Sequence, residues 1–144
     1  MRLQDEPNGC GAAALCNALQ AVGQSLSLEA AAKLAGTSNE GTSAAGLLKA
    51  LKTLGYHAST VLTESPDGAW AALCGNLLMG LPVILCVAHE DHWVTAIGLL
   101  GGLVLIADPA DAGVVSTYTR AGVLAWWSSG GRKPTYFGIS LEKH

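Results

Sequence analysis

Between Cys10 and Val22 the chain reads Cys-Gly-Ala-Ala-Ala-Leu-Cys-Asn-Ala-Leu-Gln-Ala-Val, and no other segment constrains the fold as strongly. Leu15, Leu19 and Val22 recur at helical spacing, while Ala12, Ala13, Ala14 and Ala18 keep the remaining faces small and apolar. A helix that is apolar all round must be enclosed by other elements. The rest of the chain therefore has to wrap around its own beginning. It has the material to do so, with 50% hydrophobic and 13% charged residues in 144, the content of a single domain with a sizeable core.

The same composition excludes several classes of function. A net charge of −3, with Arg132-Lys133 as the only adjacent basic pair, argues against nucleic acid or an anionic membrane as partner. The longest apolar run, about Leu73 to Ala88, is broken by Gly75, Asn76, Gly80 and Pro82, so membrane insertion is not expected. No charged-then-apolar targeting segment precedes the first helix, and the four cysteines lack the density of a secreted scaffold. A cytoplasmic setting follows, with a functional N-terminus that added residues would disturb.

Helix signals dominate the first half. Gly23 ends the first helix, and Ser27 caps a second over Leu28–Ala35 that Gly36 closes. Ser43 caps a third through Leu47, Leu48, Leu51 and Leu54, and a short strand follows at Tyr56–Leu62. Ser65-Pro66-Asp67 opens a fourth helix carrying Trp70, Leu73, Leu77 and Leu78. Strands follow at Val83–Val87, His92–Leu99 and Leu103–Ala107, the last two joined as a hairpin through Gly101-Gly102. An extended piece ending at Tyr118, a short helix capped by Thr119 and a last strand at Tyr136–Leu141 complete the chain, with Ser128–Pro134 as a surface loop. The expectation is an α+β fold in one domain over 1–144, with a helical part at about 8–80 packed on a mainly antiparallel sheet at about 82–142.

Cys10 is the candidate nucleophile. It stands at a helix start, where the dipole favours thiolate, and Gly9 and Gly11 leave the sulfur open to close approach. His92 at a strand start is the candidate base, and Asp108, sixteen residues on, the group that orients it. Hairpin register decides whether these two can meet. With a strict two-residue turn and no irregularity, Asp108 faces Thr95, on the wrong side of the sheet for His92. An odd-length loop or a bulge pairs Asp108 with Val94 or Ala96 instead, on the His92 side. That register is the expectation. Gln4, upstream of the cysteine, is an uncharged donor able to stabilise an oxyanion. Cys16, Cys74 and Cys86 lie in apolar runs and read as core. His57, His89 and His144 read as solvated, and Trp70, Trp126 and Trp127 as core or interface. Cys10, Cys16, His89 and His92 lack zinc-site spacing, so neither metal nor cofactor is expected.

The ordered set Gln4, Cys10-Gly11 with Ala13 and Leu15, His92-Trp93-Val94 and Asp108-Pro109 resembles the papain-like cysteine peptidases that process bacteriocin precursors at double-glycine leaders. The resemblance implies a papain-like fold and a peptide or protein substrate. It further implies catalysis by Cys10, His92 and Asp108, with Gln4 in the oxyanion hole. Family members are usually joined to a membrane exporter with a nucleotide-binding domain; this sequence has neither P-loop nor membrane span, which implies a separate exporter partner. It also has Gly9 where an acidic residue is common. Two other functions use the same scaffold: an acyl or amide transferase similar to the phytochelatin synthases, and a non-catalytic peptide-binding module.

Overall fold

A computed structural model describes residues 10–38, 41–88, 92–108 and 115–143. The helices are α1 (Cys10–Ala21), α2 (Leu28–Ala35), α3 (Ala44–Thr53), α4 (Pro66–Leu78) and α5 (Arg120–Trp127). The strands are β1 (Tyr56–Thr63), β2 (Val83–Val87), β3 (His92–Leu100), β4 (Leu103–Ala107), β5 (Val115–Tyr118) and β6 (Tyr136–Lys143). Local chemistry accounts for the helix starts. Ser27, Ser43, Ser65 and Thr119 each accept a hydrogen bond from the backbone N–H three residues on, at 3.0–3.1 Å. Gly36 closes α2 in the left-handed conformation, at φ 67°.

All strand pairs are antiparallel, in the order β1-β6-β2-β3-β4-β5. The helices do not form one layer. Residues of α1, α2 and α3 share a core cluster with Tyr56, Ile84, Cys86, Trp93, Ile139 and Leu141. Residues of α4 and α5 share a second with Val83, Leu85, Val87, Val94, Ala96, Val104 and Ile106. These two sets alternate along the strands, so the sheet lies between two helical layers. The α+β class holds, with two refinements. β1, from the stretch read as mainly helical, forms one edge of the sheet, and α4 covers the face opposite α1–α3.

As its composition requires, α1 is enclosed, with every residue from Gly11 to Leu19 buried. Thr95 Oγ1 donates to the Ala14 carbonyl at 2.8 Å and ties the helix to β3. Gly46 lets α3 approach α2, since a Cβ there would lie 2.1 Å from the Ala35 carbonyl oxygen. Cys16 and Cys86 are buried as expected, but Cys74 is only half-buried, on a helix that covers the sheet from outside. Leu78, the last residue of α4, is 77% exposed. The loop before β6 is pinned at its neck, where Ser129 N–H donates to the Thr135 carbonyl at 2.9 Å and Thr135 N–H to Ser129 Oγ at 2.8 Å.

Candidate active site

The β3–β4 hairpin meets the register condition by a bulge. Leu100 pairs with Leu103 across a two-residue turn at Gly101-Gly102, followed by Leu99 with Val104 and Gly98 with Leu105. The count then shifts, so that Ala96 pairs with Ile106 and Thr95 with Ala107. One residue, Ile97, is extra on β3. The next position places Asp108 across from Val94 and diagonal to His92. His92 Nε2 and Asp108 Oδ1 lie 2.6 Å apart, both largely sheltered at 17% and 15% exposure.

Cys10 is the first residue of α1 and hydrogen-bonds to His92 from the other helical layer, at the start of β3. With Nε2 engaged by Asp108, Nδ1 is the ring nitrogen left for the thiol. Burial pushes the Cys10 thiol up, but the hydrogen bond to His92, backbone N–H donors from Trp93 and Gly11, and the imidazolium charge outweigh it and hold the pKa below its ordinary value. His92 moves the opposite way, to about 9. The Cys10 hydrogen bond contributes most, burial opposes it, and Asp108 adds a hydrogen bond and its charge. Near neutral pH these shifts favour a thiolate–imidazolium pair with Asp108 behind the imidazolium.

Several residues whose place in the site the sequence did not reveal complete it. Trp126 lies beside His92, with ring centroids 6.4 Å apart, and stacks on Tyr118 at 5.2 Å. Its carbonyl accepts from the N–H of Ala88, which follows β2 at a positive φ of 53°, so α5 is fastened next to the histidine. Thr42 packs on Gly11, where a Cβ would lie 2.4 Å from Thr42 Cβ. Nothing in the sequence marks Thr42, and Trp126 reads there as core or interface, because only the folded chain brings residues 42 and 11, or 126 and 92, together. Nearby, Leu62 pairs with Phe137 and Cys86 with Trp93. With Thr42 and Thr135 they line a groove of about 410 Å³.

Gln4, the expected oxyanion donor, lies outside the described residues, as do His89, Pro109 and His144. Cys16, weighed earlier as a zinc ligand, donates its thiol to the Leu26 carbonyl at 3.3 Å. Among the described residues no cluster of three or more His, Cys, Asp or Glu side chains is arranged to hold a metal, and no helix is long and apolar enough to cross a membrane.

Known proteins share this arrangement of helices and sheet. The peptidase domain of Streptococcus ComA, a bifunctional ABC transporter involved in quorum sensing, superposes with a TM-score of 0.76 at 19% identity, covering 99% of this chain and 97% of that one. A double-glycine-motif protease from an AMS/PCAT transporter, solved with a leader peptide, gives 0.72 at 26% identity, covering 96% and 86%. The lactococcin-G-processing and transport ATP-binding protein LagD of Lactococcus lactis subsp. lactis is 28% identical over 120 residues, which cover 81% of this chain but 16% of LagD. The Peptidase C39 family matches residues 1–129, nine-tenths of the sequence, and the chain belongs to that family.

Proposed function

We propose that the protein is a cysteine peptidase that cleaves a peptide bond through a thioester on Cys10. The observation that carries this reading is the placement of His92 between Cys10 and Asp108, hydrogen-bonded to both. The Cys10 thiolate attacks the scissile carbonyl carbon, and the oxyanion is held by the backbone N–H of Cys10 and the Gln4 side-chain amide. The tetrahedral adduct collapses as His92 gives its proton to the leaving amine, leaving an acyl thioester on the sulfur. Neutral His92 then takes a proton from water as its oxygen attacks the thioester carbon, and the adduct expels the thiolate beside the re-formed imidazolium, releasing a carboxylic acid that gives its remaining proton to solvent. Asp108 keeps the imidazole oriented through both steps.

The proposed substrate is a leader peptide with small residues, such as Gly-Gly, before the cleaved bond. This rests on the likeness to the AMS/PCAT protease, a double-glycine-motif protease solved with a leader peptide. LagD and ComA are transporters, so an exporter is the proposed partner and the cytoplasm the proposed setting. Incubation with a panel of double-glycine leader peptides, followed by mass spectrometry of the products and of the Cys10 peptide, tests this reading. Cleavage after the glycines with an acyl adduct on Cys10, both lost in Cys10→Ala, is expected. Folded protein that gives neither product nor adduct would overturn it, and a product carrying an added thiol in place of water would identify a transferase instead.

A further inference from the structure

Trp93 follows His92 and has two N–H groups that point to different parts of the site. Its main-chain N–H donates to the Cys10 sulfur, and its indole Nε1–H donates to the Thr42 carbonyl at 2.9 Å. The Thr42 side chain rests on Gly11, with Cβ and Oγ1 2.4 Å and 2.7 Å from where a Cβ at position 11 would stand. Thr42 Oγ1 is itself held 2.6 Å from Thr37 Oγ1. From Cys10 to Trp93, to Thr42, to Gly11 and back along the chain to Cys10, these contacts close a ring that joins α1, β3 and the segment before α3. Within a closed ring a shift of one member alone strains the contacts of its neighbours. The Trp93 ring is also largely buried, 6.3 Å edge-on from Phe137, so its indole has little freedom to follow a shift of Thr42.

We propose that Trp93 is a positioning residue for the nucleophile: by gripping Thr42 with its indole while its main chain donates to Cys10, it fixes the first turn of α1 where the donors to sulfur converge. The inference rests on Cys10 being the nucleophile. A tryptophan that merely filled the core would support stability without setting the chemistry of the thiol. Of the charged side chains among the described residues, His92 is the one that acts on Cys10, so a change in thiolate population on altering Trp93 reports on geometry.

The test is the pH dependence of Cys10 alkylation by iodoacetamide, followed at the Cys10 peptide by mass spectrometry in the whole chain. Trp93→Phe keeps the main-chain donor and most of the ring and removes the indole N–H. Its alkylation midpoint should rise by about half a pH unit or more, a roughly threefold loss of thiolate below the midpoint, and kcat should fall with KM little changed. Gly11→Ala should move the midpoint the same way, although alanine is the better helix former. The double variant Gly11→Ala with Thr42→Gly, which removes the three atoms nearest to the new methyl group, should restore it in part. Trp93→Phe with a lowered melting temperature and an unmoved midpoint would overturn the proposal. Should Trp93→Phe not fold, Gly11→Ala and its partner substitution decide the matter, and an unmoved midpoint in Gly11→Ala is the adverse result. An ordinary midpoint in the unaltered chain would instead overturn the peptidase reading on which the proposal stands.

Discussion

Replacing Asp108 by asparagine separates two ways in which His92 can serve Cys10. With its pKa at about 9, His92 carries a proton on both ring nitrogens near neutral pH, and its Nε2–H, 2.6 Å from Asp108 Oδ1, requires only an acceptor. The carboxamide oxygen of asparagine is such an acceptor, so the substitution removes the charge and keeps the hydrogen bond. Because the imidazolium keeps its charge, the bond to asparagine stays charge-assisted and only the attraction between the two charges is lost, so Asp108→Asn should cost about 1 kcal/mol. In kcat/KM that is roughly a fivefold loss. Asp108→Ala leaves a sheltered Nε2–H with no partner from position 108 and should cost about 1.5–3 kcal/mol, or roughly 10- to 150-fold. The assay is kcat/KM on a double-glycine peptide near pH 7, with thermal unfolding to confirm that both variants are folded. A loss of about 10⁴ in Asp108→Asn is the penalty known where an aspartate selects the tautomer of a neutral histidine; here it would refute the preformed ion pair.

Three further outcomes are expected. Cys10→Ala removes the largest contribution to the raised His92 pKa while the opposing effect of burial remains, so the ring should titrate below 9 by NMR; an unchanged value would refute the coupling. Because His92 rises from 6.5 to about 9 on folding, its stabilising effect is complete below pH 6.5 and fades as pH climbs through 9. The stability gap between the unaltered chain and His92→Ala in urea should therefore be wider at pH 6 than at pH 10, and the alkaline limb of kcat/KM should fall near 9; a gap that widens with pH would contradict the assignment. Gly46→Ala drives a methyl group against the Ala35 carbonyl and should destabilise the chain by about 1–3 kcal/mol in urea unfolding, despite the better helix propensity of alanine; a gain would show that α2 and α3 yield easily.

Most local structure was legible because it is set by neighbours in sequence. Ser27, Ser43, Ser65 and Thr119 sit next to the N–H groups they cap, and Gly36 closes α2 at the position where a left-handed residue is needed. Cys10, His92 and Asp108 were legible as a set because two of them end strands of one hairpin, whose parity follows from counting. The count required an irregularity without locating it, and the bulge at Ile97 supplies it. What could not be read depends on contacts between distant segments. Nothing local to Tyr56–Thr63 says that its partner is Tyr136–Lys143, and nothing local to α4 says which face of the sheet it covers. Thr42 and Trp126 belong to the same class. Their types are ordinary for a loop and a core, and their importance comes from Gly11, Trp93 and His92, tens of residues away.

The place of β6 bears on when the molecule becomes whole. It is the last strand among the described residues, yet it lies between β1 and β2 and pairs with both, while those two do not pair with each other. Until Tyr136–Lys143 is in place, β1 is joined to the rest of the sheet only through loops and helices, and Ile139 and Leu141 are missing from the core against which α1 packs. Closing this gap joins segments far apart along the chain, a loop closure with a high entropic cost that slows folding. A growing polypeptide would thus carry α1 long before it finishes the floor beneath that helix, and Cys10 gains its full support only once synthesis has passed Tyr136–Lys143.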